Sequence, residues 1–212
     1  MTLRPLDHTV PAAGSPPGLL EHLRSATRAA HTAQERQLAF LSRLDSTSSY
    51  VAVLEVFLGF QEPLEEILTT AVSETGLPWR LQPGTERIKT DLLDLGLSPD
   101  AIAAVPRCPD VPRPATVTEL IGMLYVTEGA ALGGQLISRW VEDALSLTAT
   151  DGVSYFAGTG DARRRLREFT TLAEATVGGA GGAAVAAANH HFGAFGAWTE
   201  QRLGTSGQER TA

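Results

Sequence analysis

The chain has 212 residues, of which 43% are hydrophobic and 19% charged, and its formal net charge is -7. This length and composition suit one folded domain with a buried core and exclude wholesale disorder. The acidic balance argues against nucleic acid or an anionic membrane as the main partner, because both favour basic surfaces.

Cysteine usage and apolar runs bear on location. Cys108 is the one cysteine, so an internal disulfide and a CxxC metal site are excluded. This usage is typical of a reducing compartment, and no signal-like segment or apolar run of about 18 residues occurs. We expect a cytoplasmic protein with a flexible leader over 1–17, one domain over 18–204 and a polar tail over 205–212.

Helical periodicity predicts an all-α chain. The first helix is expected over 19–41, where apolar or small residues recur at helical spacing, at Leu20, Leu23, Thr27, Ala30, Gln34 and Leu38. The second, over 46–72, is strongly apolar, and Pro63 should kink or divide it. Further helices are predicted over 85–95, 98–105, 116–147, 161–177 and 184–203, with a proline-rich loop over 105–114. Without alternating strand patterns or repeats, we expect a single-domain helical fold.

Three of the glycines inside the predicted helix over 116–147 lie close together. Gly129 and Gly133 are four residues apart and share one face, and Gly134 follows directly. Each costs about 1 kcal/mol relative to alanine in a helix interior. The spacing alone favours close helix packing. The Gly133-Gly134 pair weakens the helix more than packing requires, which indicates a bend against which something flat can lie.

His31 lies on the apolar stripe of the first helix, where most histidines are ordinary core residues. Glu35, one turn later, can accept the second N–H of a metal-bound imidazole. Arg24, two turns earlier, can pair with a carboxylate at the rim of a ligand bound to His31. The helix thus offers a metal ligand, an orienting partner and an anion clamp, although a solvated face also explains the two charged residues.

A basic cluster opens the predicted helix over 161–177 and consists of Arg163, Arg164, Arg165 and Arg167. It can bind an anionic group or dock an acidic partner. A solvated helix start is an equal alternative, although positive charge near a helix N-terminus is unfavourable. The adjacent His190 and His191 point about 100° apart, so at most one faces a given site.

Several chemistries lack their motifs. There is no glycine loop for phosphates or dinucleotides, no HExxH, and no Glu-x-x-His pair for a bundle di-iron site. Cys108 is a conceivable nucleophile, but it lies in the proline-rich loop with no histidine nearby in sequence.

Two motifs resemble those of one family. ATRAAHTAQE, over 26–35, resembles the proximal-helix signature of the haem oxygenases, and LYVTEGAALGGQLI, over 124–137, resembles their distal helix. The order of the motifs, the roughly hundred residues between them and the chain length all fit. The similarity is greatest to the bacterial branch associated with bacteriophytochromes, and in looser form it runs from about residue 18 to 202.

The resemblance implies roles for individual residues. His31 falls on the proximal iron ligand, Glu35 on the carboxylate that hydrogen-bonds this ligand, and Arg24 on a basic position facing a haem propionate. Asn189 lies near a haem-contact segment of the family. Further haem contacts are implied for Thr27, Tyr125, Arg164, Arg167 and Phe192.

On the distal side, Gly129 and Gly133, together with Gly134, fall on glycines that let the helix backbone approach the face of haem where dioxygen binds. Many members place an aspartate after the first of these glycines, and the bacteriophytochrome-associated branch often has serine, to anchor proton-delivering water. This chain has Ala130, which does neither. Glu128 points about 200° around the helix from Ala130 and does not substitute for it.

The resemblance therefore implies a haem oxygenase fold that opens haem with dioxygen to biliverdin, carbon monoxide and ferrous iron. Haem would be both substrate and cofactor. No flavin or nicotinamide motif is present, so an external ferredoxin, flavodoxin or reductase must supply electrons, and a bacteriophytochrome is a conceivable biliverdin acceptor. Two alternatives stay open: a non-catalytic haem-binding or haem-transfer protein, which Ala130 favours, and a thiaminase-like hydrolase that needs a reactive Cys108.

Overall fold

A computed structural model describes residues 18–178 and 181–209, and in this part of the chain every regular element is helical. The elements are α1 (Leu19–Ala26), α2 (Arg28–Leu38), a 3-10 helix (Ala39–Arg43), α3 (Thr47–Thr75), α4 (Thr85–Asp94), α5 (Pro99–Ala104), α6 (Val117–Leu145), α7 (Ser154–Ala157), α8 (Ala162–Val177) and α9 (Gly182–Glu209). The leader predicted over 1–17 lies outside the described residues. Helix α9 ends within the segment predicted as a polar tail.

Four helices begin at a side chain that caps them. The capping oxygens accept the backbone N–H three residues later and belong to Ser46, Ser98, Thr116 and Asp161. Asp161, the cap of α8, also offsets the unfavourable positive charge at the start of that helix, because its carboxylate lies among the arginines there. The backbone N–H of Arg164 lowers the pKa of Asp161.

The helix predicted over 19–41 is interrupted at Thr27. The Thr27 hydroxyl donates to the Leu23 carbonyl at 2.8 Å, and the backbone there has φ -99° and ψ 0°. Such back-bonding by a threonine bends a helix. The apolar stripe therefore enters the core in α1, at Leu19 and Leu23, but no residue of α2 is buried. The prediction of one continuous helix is therefore wrong, and in α2 the stripe is only half-buried, with Ala30 and Leu38 packed against the core.

Pro63 does not divide α3, which runs unbroken around it. A proline has no N–H to donate to the carbonyl four residues earlier, so Gly59 would lose its helical partner. The backbone N–H of Cys108 takes that place and donates to the Gly59 carbonyl at 2.8 Å. A Cβ on Gly59 would lie 2.5 Å from the Pro106 carbonyl, so only glycine lets the proline-rich loop come this close.

Helices α6 and α9 form the centre of the fold. A Cβ on Gly122 of α6 would run into the backbone of Ala184 of α9, so the two helices cross with almost no space between them. Trp198 of α9 donates its indole N–H to the Val56 carbonyl of α3 at 2.9 Å, which attaches the third long helix. Helix α6 is long and apolar enough to cross a membrane by length and composition, but 50% of its most apolar stretch is buried in the molecule, as in a core helix.

Candidate functional site

His31 stands on the exposed side of α2, with 59% of its side chain accessible. Its Nδ1 lies 3.5 Å from Glu35 Oε1, and its ring meets the Phe192 ring of α9 edge-on, with 5.9 Å between centroids. The structure thus brings together three of the residues predicted for the site. Because Glu35 lies at Nδ1, Nε2 is the nitrogen left for a ligand.

Two polar contacts attach the α1–α2 segment to α9, one to α2 and one to the last residue of α1. Gln37 donates to the Gly196 carbonyl at 2.8 Å, and Asn189 donates to the Ala26 carbonyl at 3.5 Å. Together with the Phe192 edge, these contacts set the position of His31 relative to α9. Gln37 carries no signal in the sequence, because its partner is a backbone carbonyl 159 residues away.

The three neighbouring glycines in the middle of α6, Gly129, Gly133 and Gly134, have two different environments. A Cβ on Gly129 or on Gly133 would meet nothing within 4 Å, so both face open space. A Cβ on Gly134 would lie 3.1 Å from the Phe156 carbonyl of α7. The open face predicted for this helix therefore consists of the first two glycines, and Gly134 serves the close packing of α6 on α7.

Helix α2 is flanked by two segments that lie close to α6. Tyr125 of α6, one turn before Gly129 on the same face, lines a small cavity with Leu19 and Leu23 of α1, which precedes α2. The 3-10 helix that follows α2 packs against α6. Helix α2 itself packs on α9 rather than along α6.

Glu128 points away from the glycine face, as its position in the helix predicts. It is 6% exposed and accepts hydrogen bonds from the Trp79 indole at 2.9 Å and from two nitrogens of Arg165 at 2.7 Å each. Arg165 belongs to the basic cluster, which the sequence analysis interpreted either as an anion-binding surface or as a solvated helix start. Arg165 fits neither interpretation, because it binds a buried carboxylate of the protein itself. Trp79 carries no signal in the sequence.

The remaining predicted contacts are not linked to His31 by any hydrogen bond or ion pair between described residues. Arg24 and Arg167 are exposed, and Arg164 lies 3.4 Å from Glu168 of its own helix. Thr27 is buried, with its hydroxyl bonded to the backbone of α1. Arg24, Arg164 and Arg167 thus lie at the surface, on α1 and α8.

Cys108 is a poor nucleophile in this fold. Its side chain is 7% exposed, and burial raises its pKa. A reactive thiol needs the opposite, a lowered pKa and access to solvent. The thiaminase-like alternative therefore loses the residue on which it depends.

The fold and the site together define an all-α protein that presents a histidine on one helix and a glycine-lined face on another. Residues 18–201 match the family model described as "Heme oxygenase". Since the match covers most of the chain, the chain belongs to the haem oxygenase family. A curated relative of the same description, from Xanthomonas campestris pv. campestris (strain 8004), is 36% identical over 81 residues. That stretch covers 38% of this chain and 43% of the relative, so less than half of the relative's length is spanned.

Solved structures confirm the predicted fold. The haem oxygenase of Neisseria meningitidis, in its NO- and CO-bound forms, aligns with a TM-score of 0.72 at 20% identity, over 89% of this chain and 94% of its own. The haem oxygenase of Leptospira interrogans aligns at 0.69 and 17%, over 87% and 100% of the chains. Haem oxygenase-1 of the cyanobacterium Synechocystis, in complex with haem, aligns at 0.66 and 14%, over 92% and 98%.

Proposed function

We propose that this chain binds haem between α2 and α6 and opens it oxidatively to biliverdin, carbon monoxide and ferrous iron. The observation that carries the proposal is the presence, in one fold, of an accessible His31 backed by Glu35 on α2 and of an open face at Gly129 and Gly133 on α6. Membership of the family supports it, and so does the all-α fold shared with the haem-bound Synechocystis protein.

The donor set fits haem iron. His31 Nε2 would be the one protein ligand, and Glu35 would accept the Nδ1 proton, which orients the imidazole. Arg24, Arg164 and Arg167 would pair with the propionates. When bound, haem supplies the iron that activates dioxygen and is also the molecule that is cleaved.

On the opposite side, the missing side chains of Gly129 and Gly133 leave the backbone of α6 free to lie close to the haem. With haem bound, that backbone would restrict the space available to dioxygen on this side. Ala130 is exposed and contributes no polar side-chain atom, so it would not take part in proton delivery.

Ala130 favours a second function, which is haem binding or transfer without cleavage. Both functions need His31, whereas only cleavage needs proton delivery on the Ala130 side. A haem carrier would hold reduced haem in air without destroying it, so the two functions differ in the fate of the ligand rather than in its binding.

Haem titration followed by reaction separates these outcomes. The purified chain is loaded with haem without oxygen, and a reductant and air are then admitted while the absorption spectrum is recorded. Loss of the Soret band with biliverdin in the extract supports cleavage, whereas a stable oxygenated spectrum supports the carrier. Absence of saturable haem binding would contradict both.

We propose a cytoplasmic enzyme of the bacteriophytochrome-associated branch, supplied with electrons by a ferredoxin, flavodoxin or reductase and passing biliverdin to a bacteriophytochrome. The motif over 124–137 supports the branch. Comparing the rate of haem loss with each class of reductant tests the donor.

A further inference from the structure

Two side chains from separate parts of the chain bind the carboxylate of Glu128, which comes immediately before the first open glycine of α6. Arg165 of α8 donates to both carboxylate oxygens through Nε and a terminal nitrogen, and a terminal nitrogen also donates to the Arg80 carbonyl at 2.6 Å. Trp79 donates its indole N–H to the same carboxylate, and the guanidinium lies 4.5 Å from the centre of the indole ring. We call these three residues the Glu128 cluster.

The cluster is well ordered by its surroundings. Glu128 is buried, only 18% of the Arg165 side chain is exposed, and the Trp79 ring packs edge-on against Phe169 of α8 at 5.3 Å. The guanidinium binds the carboxylate at two points, and the indole N–H adds a third directional contact. Together they specify one orientation of the Glu128 side chain, which apolar packing would not. Fixing this side chain also fixes the rotation of α6 about its own axis.

Helix geometry connects that orientation to the open face. Residues in an α-helix are about 100° apart, so Gly129 and Gly133 lie about 100° and 140° around the axis from Glu128, and Gly134 about 240°. These directions agree with the environments observed: open space at Gly129 and Gly133, and the Phe156 carbonyl at Gly134. The segment is thus held by the cluster on one side and by α7 on another.

External support matters at this place because the segment is weak in itself. Interior glycines lower helix stability, and the open side of the segment has no packing partner at Gly129 or Gly133. A helix of this kind would bend or fray locally unless contacts outside the glycine face held it.

We propose that Trp79, Glu128 and Arg165 are positioning residues that fix the rotation and height of the glycine segment, and so set where the α6 backbone lies over the ligand. The consequence for catalysis rests on the proposed function: when the cluster is broken, the direction in which oxygen is crowded changes, and haem is opened at more than one edge carbon. The structural part does not depend on haem.

The first test uses the haem-free full chain and amide hydrogen exchange. Glu128→Gln should accelerate exchange of the amides over 129–134 by about tenfold or more, while amides in α3 and α4 keep their rates. Glu62→Gln is the matched control, because Glu62 of α3 forms a similar double ion pair with Lys89 and Arg107, away from α6. Unchanged exchange over 129–134 would overturn the proposal, and so would an equal rise throughout the chain.

Two further variants keep the test valid if Glu128→Gln does not fold. Trp79→Phe keeps the ring against Phe169 and removes only the indole N–H, so a smaller acceleration confined to the same amides is expected. The double variant Glu128→Leu with Arg165→Leu removes both charges, and replacing a buried ion pair by apolar groups tends to preserve stability. Normal melting with faster exchange over 129–134 is expected, and normal exchange would overturn the proposal.

The second test is the distribution of biliverdin isomers, which a merely stabilising role would not move. Wild type and Glu62→Gln should give the same distribution, whereas Glu128→Gln should give a broader one at similar haem affinity. An unchanged distribution would overturn the catalytic consequence. If wild type forms no biliverdin, the proposed function fails, and the exchange experiment still decides whether the cluster positions α6.

Discussion

The proposed haem binding rests first on the imidazole of His31. In His31→Ala the nitrogen that would hold iron is gone, so we expect no biliverdin and a haem spectrum without histidine ligation, measured by titration and product extraction. His190→Ala is the matched control, because His190 is an exposed histidine of α9 outside the site, and it should leave both results unchanged. Normal spectra and rates in His31→Ala would show that another residue holds the iron.

His191 makes the stability of the fold depend on pH. It is 5% exposed, lies 5.6 Å from the Phe60 ring, and its Nδ1 has no hydrogen-bond partner among the described residues. Burial, with a smaller effect of neighbouring His190, lowers the pKa of His191 from 6.5 to about 4. The folded state therefore binds this proton less readily than the unfolded state, so stability is complete above the unfolded pKa and falls as the pH drops toward the folded one.

We expect the His191 contribution to lower the free energy of unfolding by about 2 kcal/mol between roughly pH 8 and pH 5. Urea unfolding at the two pH values measures it. His191→Phe should lose this part of the pH dependence, because it removes the titrating group, whereas His190→Gln should keep it. Equal pH dependence in His191→Phe and wild type would mean that other groups cause it.

The glycines of α6 should respond differently to added side chains. Gly133→Ala places a methyl group in open space, so we expect the haem-free protein to gain up to about 1 kcal/mol from helix propensity. Gly134→Ala should gain less or lose stability, because its methyl group would crowd the Phe156 carbonyl.

Gly133→Leu should fold but lose haem turnover, as its side chain would occupy the space above the haem. Thermal melts and turnover rates measure both effects, and full turnover in Gly133→Leu would show that this face does not border the reaction.

The predicted helices agree with the structure where local properties of the sequence determine them, and they differ from it where distant contacts do. Helix α6 follows from a threonine cap and helical periodicity, which are local properties of the sequence. Continuity through Pro63 depends on an N–H that Cys108 supplies from 45 positions further along, so the local rule for proline predicted a break or kink there. The break at Thr27 depends on which way one hydroxyl turns, and the four-residue helix α7 is too short to show a period.

The contact of α6 with α9 should limit the stability of the whole molecule. Gly122→Ala would force a methyl group into the Ala184 backbone, which cannot move without shifting α9, so we expect a loss of about 2 kcal/mol or more. Gly193→Ala on α9 is the control, since a Cβ there meets nothing within 4 Å. Chemical unfolding gives both values. Wild-type stability in Gly122→Ala would mean that the two helices can separate without cost.

The contacts of the site are also of two kinds: some join residues close in sequence, and others join residues far apart. His31 and Glu35 are one helical turn apart, so their contact is predictable from spacing. The Glu128 cluster joins positions 79, 128 and 165, and its indole comes from a segment without a periodic pattern, so no spacing predicts it. Arg165 shows the limit clearly: the sequence marks a basic cluster, but only the fold selects which member turns inward.

Helix α2 has no fully buried residue, and it is held to α9 by the Gln37 amide and the Phe192 edge, while Asn189 contacts the adjoining end of α1. Two of its side chains, Ala30 and Leu38, pack half-buried against the core. Its detachment would expose little apolar surface, so the free energy of that opening should depend only weakly on denaturant. Such a local undocking would let a planar molecule the size of haem enter, and its product leave, while α3, α6 and α9 stay packed. We therefore expect ligand exchange to proceed without global unfolding.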